Sequence, residues 1–276
     1  MTRVGRFNLA CWTVLIGGVA GARAMAAPTT LPSVFGDHMV LQRDLELPIW
    51  GRADEGVDVS VTVASETRTA RSDANGAWIV RFPPLKATDV PFEVRVADPS
   101  GAVATYHDVI VGDVWVASGQ SNMELALKGA LNADAALRDA AQPNIRFFRV
   151  PRRPAADPQF DCAGDWAVCN PESAARFSAV AYFFARAVQQ REHMPIGIIG
   201  PYAGGTKIEA WTSLNGFLTD PSLREYASDI ETLRANLPNL QRKYETETVP
   251  AWSLKGTVVP KRAALGVRFR ESESVI

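Results

Sequence analysis

Short β-rich runs alternate with turn residues along the first third of the chain. Such runs occupy residues 57–63, 77–82 and 91–97. Residues 73–76 read Asp-Ala-Asn-Gly, a strong turn signal just before the second run. This spacing of strands and turns predicts a small antiparallel β-sandwich domain over residues 28–108.

A different pattern begins near Asp108, where strand-like and helix-like segments follow one another. Strands are predicted over residues 111–117, 145–150 and 195–200. A helix follows a candidate cap at Ser173, and its apolar positions recur at helical spacing: Phe177, Val180, Ala181, Phe184, Ala185 and Val188. The order strand, helix, strand predicts a parallel sheet covered by helices, an α/β domain over residues 109–220.

The remaining residues, 221–276, fit neither pattern. Residues 221–247 predict one charged helix with little apolar periodicity. The stretch from Val258 to the last residue, Ile276, gives no clear strand–helix unit. This part is expected to be an atypical tail.

The first 27 residues have the pattern of a secretory signal peptide. Arg3 and Arg6 precede a largely apolar run over residues 7–19, and residues 24–26 read Ala-Met-Ala, a small-x-small cleavage pattern. The alternative is an uncleaved anchor, but the apolar run is shorter than the ~20 residues that a spanning helix needs. The pattern favours a secreted or periplasmic protein.

The charge balance narrows the range of partners. The chain has 29 basic and 30 acidic side chains, a net charge of −1, and its 47% hydrophobic content allows a sizeable core. A near-neutral balance gives no electrostatic footprint for nucleic acid or for an anionic membrane surface. The oligomeric state is left open.

Three cysteines occur in the sequence. Cys11 lies in the leader, which leaves Cys162 and Cys169 as an even pair in an exported chain. A disulfide between these two is favoured over two free thiols. A metal site is not expected, because no histidine lies near them in the sequence.

Ser121 lies in the pentapeptide Gly-Gln-Ser-Asn-Met of residues 119–123, between a predicted strand and a helix-like segment over residues 123–131. A serine at this junction lies beside unpaired helix N–H groups, which favour negative charge. Acyl transfer needs these surroundings because its intermediate is an oxyanion. The structural alternative is a polar helix cap.

Gly204 and Gly205 follow the strand predicted over residues 195–200. A glycine lets a backbone N–H approach a reacting carbonyl, although a plain turn explains the pair equally well. Sites in parallel sheets form at the carboxyl ends of strands. Ser121 and the glycine pair are therefore expected at the same edge of the sheet.

These motifs resemble the signature blocks of the sialate O-acetylesterase family of SGNH-type carbohydrate esterases. The pentapeptide is similar to the first block, and Tyr-Ala-Gly-Gly-Thr-Lys-Ile-Glu-Ala-Trp-Thr-Ser of residues 202–213 is similar to the glycine-bearing second block. Residues 34–43 and 48–51 resemble the family's amino-terminal strands. The likeness covers roughly residues 31–214 and fades after Leu214.

The resemblance implies a partial flavodoxin-like SGNH domain and a serine esterase that hydrolyses O-acetyl esters on sialic acid or related glycans. It assigns the nucleophile to Ser121 and the oxyanion hole to the N–H groups of Ser121 and of Gly204 or Gly205. It implies no metal or organic cofactor. An acetyl esterase of plant polysaccharide fits the same motifs. Trp211 is a candidate for stacking against a sugar, with a structural role as the alternative.

The catalytic base and acid are not evident. A serine esterase uses a histidine oriented by an acid, and the chain has only His38, His107 and His193. His193 is expected at the amino edge of the sheet, opposite Ser121, and none of the three stands in an Asp-x-x-His arrangement. The family's later asparagine block and its Asp and His block do not occur in this sequence. The chain thus resembles a carboxyl-terminally truncated esterase, with a non-catalytic fragment or a carbohydrate-binding module as the alternative.

The leader pattern makes a first testable prediction. Protein exported from a bacterial host should begin near Ala27 or Pro28, because signal peptidase cleaves after small residues at such a site. Amino-terminal sequencing of the exported fraction measures this. The prediction would be contradicted if the only form recovered were a cytosolic protein that still begins at Met1.

Overall fold

The computed structural model describes residues 28–153, 155, 158–243, 245–246, 268–269 and 273–274. The predicted signal peptide, Cys11 and most of the predicted tail beyond Lys243 lie outside the described residues.

The described strands, in chain order, are β1 (Val40–Gln42), β2 (Leu47–Arg52), β3 (Asp58–Val63), β4 (Glu66–Arg71), β5 (Ala77–Phe82), β6 (Thr88–Asp98), β7 (Gly101–Val116), β8 (Gln142–Arg149), β9 (Asp165–Cys169), β10 (Ile196–Gly200), β11 (Arg268–Phe269) and β12 (Glu273–Ser274). The described helices are α1 (Ser121–Glu124), α2 (Ala133–Arg138), α3 (Pro171–Arg176), α4 (Ala179–Glu192), α5 (Leu214–Thr219) and α6 (Arg224–Lys243), with short 3-10 helices at Leu127–Gly129, Ile208–Trp211 and Pro221–Leu223.

One mixed sheet of eight strands organises the fold. Its order is β4-β3-β6-β7-β10-β8-β9, with β1 added beside β7. The strands β7, β10 and β8 run parallel, whereas β3, β4 and β6 pair antiparallel and β9 returns antiparallel on β8. The predicted α/β fold is confirmed at this level.

The order of the three parallel strands differs from the flavodoxin-like order that the resemblance implies. In that order the first strand lies between the second and the third. Here the last of the three along the chain, β10, lies between β7 and β8. One edge of β7 pairs with β6 and the other with β1 and then β10, so β8 joins the sheet beyond β10.

The predicted boundary between residues 108 and 109 falls inside β7. This strand pairs with β6 in its first part and with β10 over its last four residues, so one sheet continues through the boundary. A separate antiparallel pair, β2 with β5, packs its buried side chains into the same core as β3, β6 and β7. Division of the chain into a β-sandwich and an α/β domain stays a prediction.

Two apolar cores flank this sheet. The first lies among β1–β7 and contains Ile49, Val59, Phe82 and Ile110, all essentially buried. The second lies under α4 and contains Tyr182 and Ile198. Each core removes large side chains from water, and that burial is the main favourable contribution to folding.

Two predicted helices begin or end elsewhere in the structure. The helix-like segment at 123–131 is a four-residue helix, α1, followed by a 3-10 helix. The helix predicted after Ser173 divides in two: Asn170 caps α3, and Ser178 caps α4 through a hydrogen bond from the Ala181 N–H at 3.2 Å. Two polar caps only eight residues apart permit two helix starts, and the apolar spacing alone does not distinguish them.

The predicted disulfide is wrong, because Cys162 and Cys169 are both free. The extended strand β9 separates them. Its four residue-to-residue rises cover ~13 Å, which is longer than the Cα–Cα distance that a disulfide allows. The Cys169 thiol donates to the Ala140 carbonyl at 3.2 Å, whereas Cys162 lies 3.9 Å from the Ser33 hydroxyl. Burial raises the pKa of Cys169 to about 12.

This placement predicts unequal reactivity of the two thiols. In a Cys11→Ser background, iodoacetamide at neutral pH should modify Cys162 in the folded protein and leave Cys169 unmodified, because the thiolate is the reactive species and Cys169 is buried. Mass spectrometry of peptides before and after unfolding measures this. Cross-linked peptides containing both cysteines would contradict it.

Candidate active site

Ser121 lies at the first position of α1, directly beyond the carboxyl end of β7. It is exposed, and the Gln120 side chain caps the helix by accepting the Ser121 N–H at 3.3 Å. The Ser121 hydroxyl donates to the same Gln120 oxygen at 2.9 Å. Gln120 therefore shapes the turn and holds the hydroxyl in one direction.

The glycine turn lies beside this serine. The strands β7 and β10 end side by side, and their alignment continues as a parallel bridge between Gly119 and Tyr202. The Ala203 N–H donates to the Gly119 carbonyl at 3.0 Å. A Cβ at Gly204 would lie 3.3 Å from the Ser121 Cα. The prediction that Ser121 and the glycine pair share one edge of the sheet is confirmed.

A hydrogen-bonded ion pair ties the serine helix to the glycine turn. The Glu124 carboxylate, one helical turn after Ser121, accepts the Gly204 N–H at 2.8 Å. The Arg152 guanidinium contacts the same carboxylate oxygen at 2.7 Å and the Gly204 carbonyl at 2.9 Å. The Gly204 peptide is thereby held on both sides.

Gly204 and Gly205 differ in what they present. The Gly204 N–H is occupied by Glu124, whereas the Gly205 N–H has no hydrogen-bond partner among the described residues. Gly205 has a φ of 83°, a left-handed conformation that glycine adopts without strain, and a Cβ there would meet nothing within 4 Å. Gly205 thus offers an accessible donor.

A cavity of about 740 Å³ opens next to the glycine turn. Residues 201–206, Trp211 and the loop after β8 contribute to its walls. The Trp211 indole N–H donates to the Thr206 hydroxyl at 2.8 Å, and this hydroxyl donates to the Ala203 carbonyl at 2.8 Å. These hydrogen bonds hold Trp211 in place as a wall of the cavity. Tyr202 also lines the cavity, and burial raises the pKa of its hydroxyl.

The three histidines lie away from this edge. His193 ends α4 in a left-handed conformation and precedes β10, so it lies at the amino edge, as predicted. His38 precedes β1 at the level of the amino half of β7. His107 contacts Glu93 at 3.1 Å on the antiparallel part of the sheet. No histidine of the chain is next to Ser121.

His38 belongs to a polar cluster with a structural role. Its Nδ1 lies 2.7 Å from the Asp108 carboxylate, which also receives the buried Arg146 at 2.5 Å. The hydrogen bond from Arg146 holds the pKa of Asp108 below its usual value. Asp108 is thus an acid that orients a histidine, but at the amino half of β7 rather than beside Ser121.

Glu124 and Arg152 are residues of the site that sequence reasoning missed. Glu124 carries a signal, because it lies three residues after Ser121 and therefore on the same face of a helix. Arg152 follows a parallel strand, β8, whose carboxyl end lies at the same edge. Nothing in the sequence indicates that these two residues meet.

Among the residues that the structure describes, no group of three or more metal-ligating side chains is close enough to hold an ion. No helix in this part of the chain is long and apolar enough to cross a membrane.

A family model described as "Carbohydrate esterase, sialic acid-specific acetylesterase" matches residues 111–243. This match extends beyond Leu214, where the likeness was expected to fade. It includes both Ser121 and the glycine turn.

Curated relatives agree with this family. The chain is 32% identical over 200 residues to the sialate O-acetylesterase of Rattus norvegicus, which covers 66% of the chain and 37% of the relative. The human sialate O-acetylesterase is 32% identical over 203 residues, covering 66% and 38%. The chain thus spans less than two fifths of the length of these relatives.

A solved structure also matches this chain in sequence and in fold. The crystal structure of XAC1771, a carbohydrate acetylesterase from Xanthomonas citri, is 37% identical with a TM-score of 0.65. The match covers 68% of this chain and 43% of that one. Because the family model, the curated relatives and the structural neighbour agree, the chain belongs to the sialate O-acetylesterase family of carbohydrate esterases.

Proposed function

We propose that this chain supplies the nucleophile and the oxyanion donors of a serine esterase that hydrolyses O-acetyl esters on sugars. The observation that carries the proposal is the adjacency of Ser121 and the glycine turn at the carboxyl edge of β7 and β10. Membership of the family supports an esterase acting on acetylated sugars. Ser121 as nucleophile is part of the proposal.

The proposed reaction proceeds through an acetyl-enzyme. The Ser121 oxygen attacks the acetyl carbonyl carbon, and the carbonyl oxygen becomes an oxyanion that accepts hydrogen bonds from the N–H groups of Ser121 and Gly205. For this, the Ser121 N–H exchanges its long 3.3 Å hydrogen bond to Gln120 for one to the oxyanion. Of the two glycines, Gly205 is the better donor, since Glu124 holds the Gly204 N–H. Collapse of the intermediate breaks the ester C–O bond, and the sugar oxygen leaves as a hydroxyl that carries the proton given up by Ser121. Water then hydrolyses the acetyl-serine to acetate.

The base for this reaction is not a histidine of this chain in the observed arrangement. The Ser121 proton points to the Gln120 amide oxygen, which orients the hydroxyl but is too weak a base to accept the proton. A serine hydroxyl without a base is a weak nucleophile. The chain by itself is therefore expected to hydrolyse acetyl esters slowly.

Sialic acid or a related glycan is the proposed carrier of the acetyl group. The printed names of the curated relatives support sialic acid, whereas the structural neighbour is named only as a carbohydrate acetylesterase. An acetylated plant polysaccharide is the second candidate, and it uses the same nucleophile and the same donors.

The nucleophile is tested with a Ser121→Ala variant. Hydrolysis of 4-nitrophenyl acetate by the purified chain should exceed that of the variant by a small factor, because donors without a base retain on the order of 10³-fold catalysis over water in a related serine mechanism. Intact-mass measurement of an acetylated species, present in the chain and absent in the variant, checks the acetyl-enzyme.

Equal rates and no acetylated species in either protein would leave a non-catalytic binding fragment as the better explanation. Robust turnover by the chain, abolished in Ser121→Ala, would instead show that a base reaches Ser121. A variant of His193 serves as the control, because this residue lies at the opposite edge and its replacement should not change the rate.

The glycine turn is tested with Gly204→Ala. Its Cβ would lie 2.7 Å from the Glu124 carboxylate and 3.3 Å from the Ser121 Cα, so the Glu124 side chain must leave the Gly204 N–H and the Ser121 backbone must shift by a few tenths of an ångström. We expect a loss of about 1–3 kcal/mol in the free energy of unfolding and loss of Ser121-dependent acetylation. Denaturant unfolding and intact mass measure the two effects.

Gly129→Ala is the matched control for this substitution. Its Cβ would meet only the Leu125 side chain, at an ordinary 3.4 Å, in a 3-10 helix near the same edge. The control should retain stability within about 0.5 kcal/mol. Equal stability and equal acetylation of the two variants would show that the contact of Gly204 with Glu124 and Ser121 does not require a glycine.

A further inference from the structure

The cavity beside the glycine turn has the size of a small-molecule site. Its volume of about 740 Å³ lies within the roughly 300–1,000 Å³ typical of ligand pockets. Gly204 and Gly205 form one wall, and the loop after β8 supplies another through Arg152 and Arg153. A sugar whose acetyl group reaches Ser121 would extend into this space.

The residues that line the cavity leave one positive charge unmatched. Among those the structure describes, two are arginines and none is aspartate or glutamate. The Arg152 charge is matched by Glu124 at 2.7 Å. The Arg153 guanidinium is exposed and makes no hydrogen bond or ion pair within the described part of the chain. Arg153 is thus a cation that lines the cavity and has no partner among the residues that the structure describes.

We propose that Arg153 determines specificity by binding the carboxylate of an acidic acetylated sugar. The inference rests on the proposed function, which brings the acetyl ester to Ser121. A guanidinium binds a carboxylate through two parallel hydrogen bonds, a geometry that a hydroxyl cannot reproduce. Arg153 therefore favours a sialic acid, which carries a carboxylate, over a neutral acetylated sugar such as that of a xylan.

The rigid surroundings of Arg153 add to this preference. Arg152 is held by Glu124 and Gly204, and Trp211 is held by Thr206, so two walls are fixed before a ligand enters. A sugar ring that packs against Trp211 loses little free energy to ordering of the protein. Within the described part of the chain, the Arg153 guanidinium can then move to the carboxylate without breaking an ion pair.

Binding tests the proposal without requiring turnover. The probes are the methyl glycoside of N-acetylneuraminic acid and its neutral carboxamide, neither of which carries an O-acetyl ester. Titrations followed by ligand-observed NMR compare the wild-type chain, Arg153→Gln and Arg138→Gln. Arg138 is the matched control, because it is an exposed arginine at the end of α2, without a described partner and outside the cavity.

We expect the wild-type chain to bind the acid about fivefold more tightly than the carboxamide, the size of a partly exposed ion pair. Arg153→Gln should remove this difference, and Arg138→Gln should keep it. The preference should also decrease as salt is raised, since the contact is between charges at the surface.

Three results would overturn the proposal: no binding of the acid by the wild-type chain, equal binding of acid and carboxamide, or an equal loss for both probes in Arg153→Gln. None of these bears on Ser121, whose acetylation is measured separately. A folding defect is distinguished by the thermal unfolding of Arg153→Gln, which should match the wild type because Arg153 has no partner in the described chain.

Discussion

The parallel pairing of β7 with β10 is the constraint on which the site depends. Its register aligns Asp113 with Ile196 and Val116 with Ile199, so both strands end at the same level. A Cβ at Gly112 would lie 2.0 Å from the Pro195 carbonyl oxygen, which leaves room only for glycine at the start of this contact. A shift of one residue would reverse the faces of β10 and separate Ser121 from the glycine turn.

Beyond the ends of β7 and β10, hydrogen bonds between the two turns replace the backbone hydrogen bonds of the sheet. The two turns continue side by side through the bridge of Gly119 with Tyr202, and Glu124 then joins the serine helix to Gly204. Occupying the Gly204 N–H leaves the next amide, at Gly205, accessible. The Glu124 carboxylate, held by Arg152, therefore determines that the Gly204 N–H is occupied while the Gly205 N–H has no partner among the described residues.

Ser121 and the histidines lie in different parts of the sheet, Ser121 beyond the carboxyl end of β7 and the histidines away from that end. Asp108 orients His38 and pairs with buried Arg146, an arrangement that stabilises the amino half of β7. At the carboxyl end, Ser121 has helix N–H groups and a neutral amide as neighbours. These surroundings stabilise negative charge but do not remove the serine proton, which is why the proposed reaction is expected to be slow.

The sequence by itself determined several of the strands, the turn at residues 73–76 and the α/β character, because hydrophobic period and turn chemistry are local properties. It also placed Ser121 and the glycine pair at one edge of the sheet, because the carboxyl ends of parallel strands meet there. Tertiary structure decided the rest. The order of β7, β10 and β8 depends on which strand edges are already paired. Cys162 and Cys169 stay free because extended chain holds them apart. The contact of Glu124 with Arg152 joins residues 28 positions apart, and only folding brings such side chains within hydrogen-bond distance.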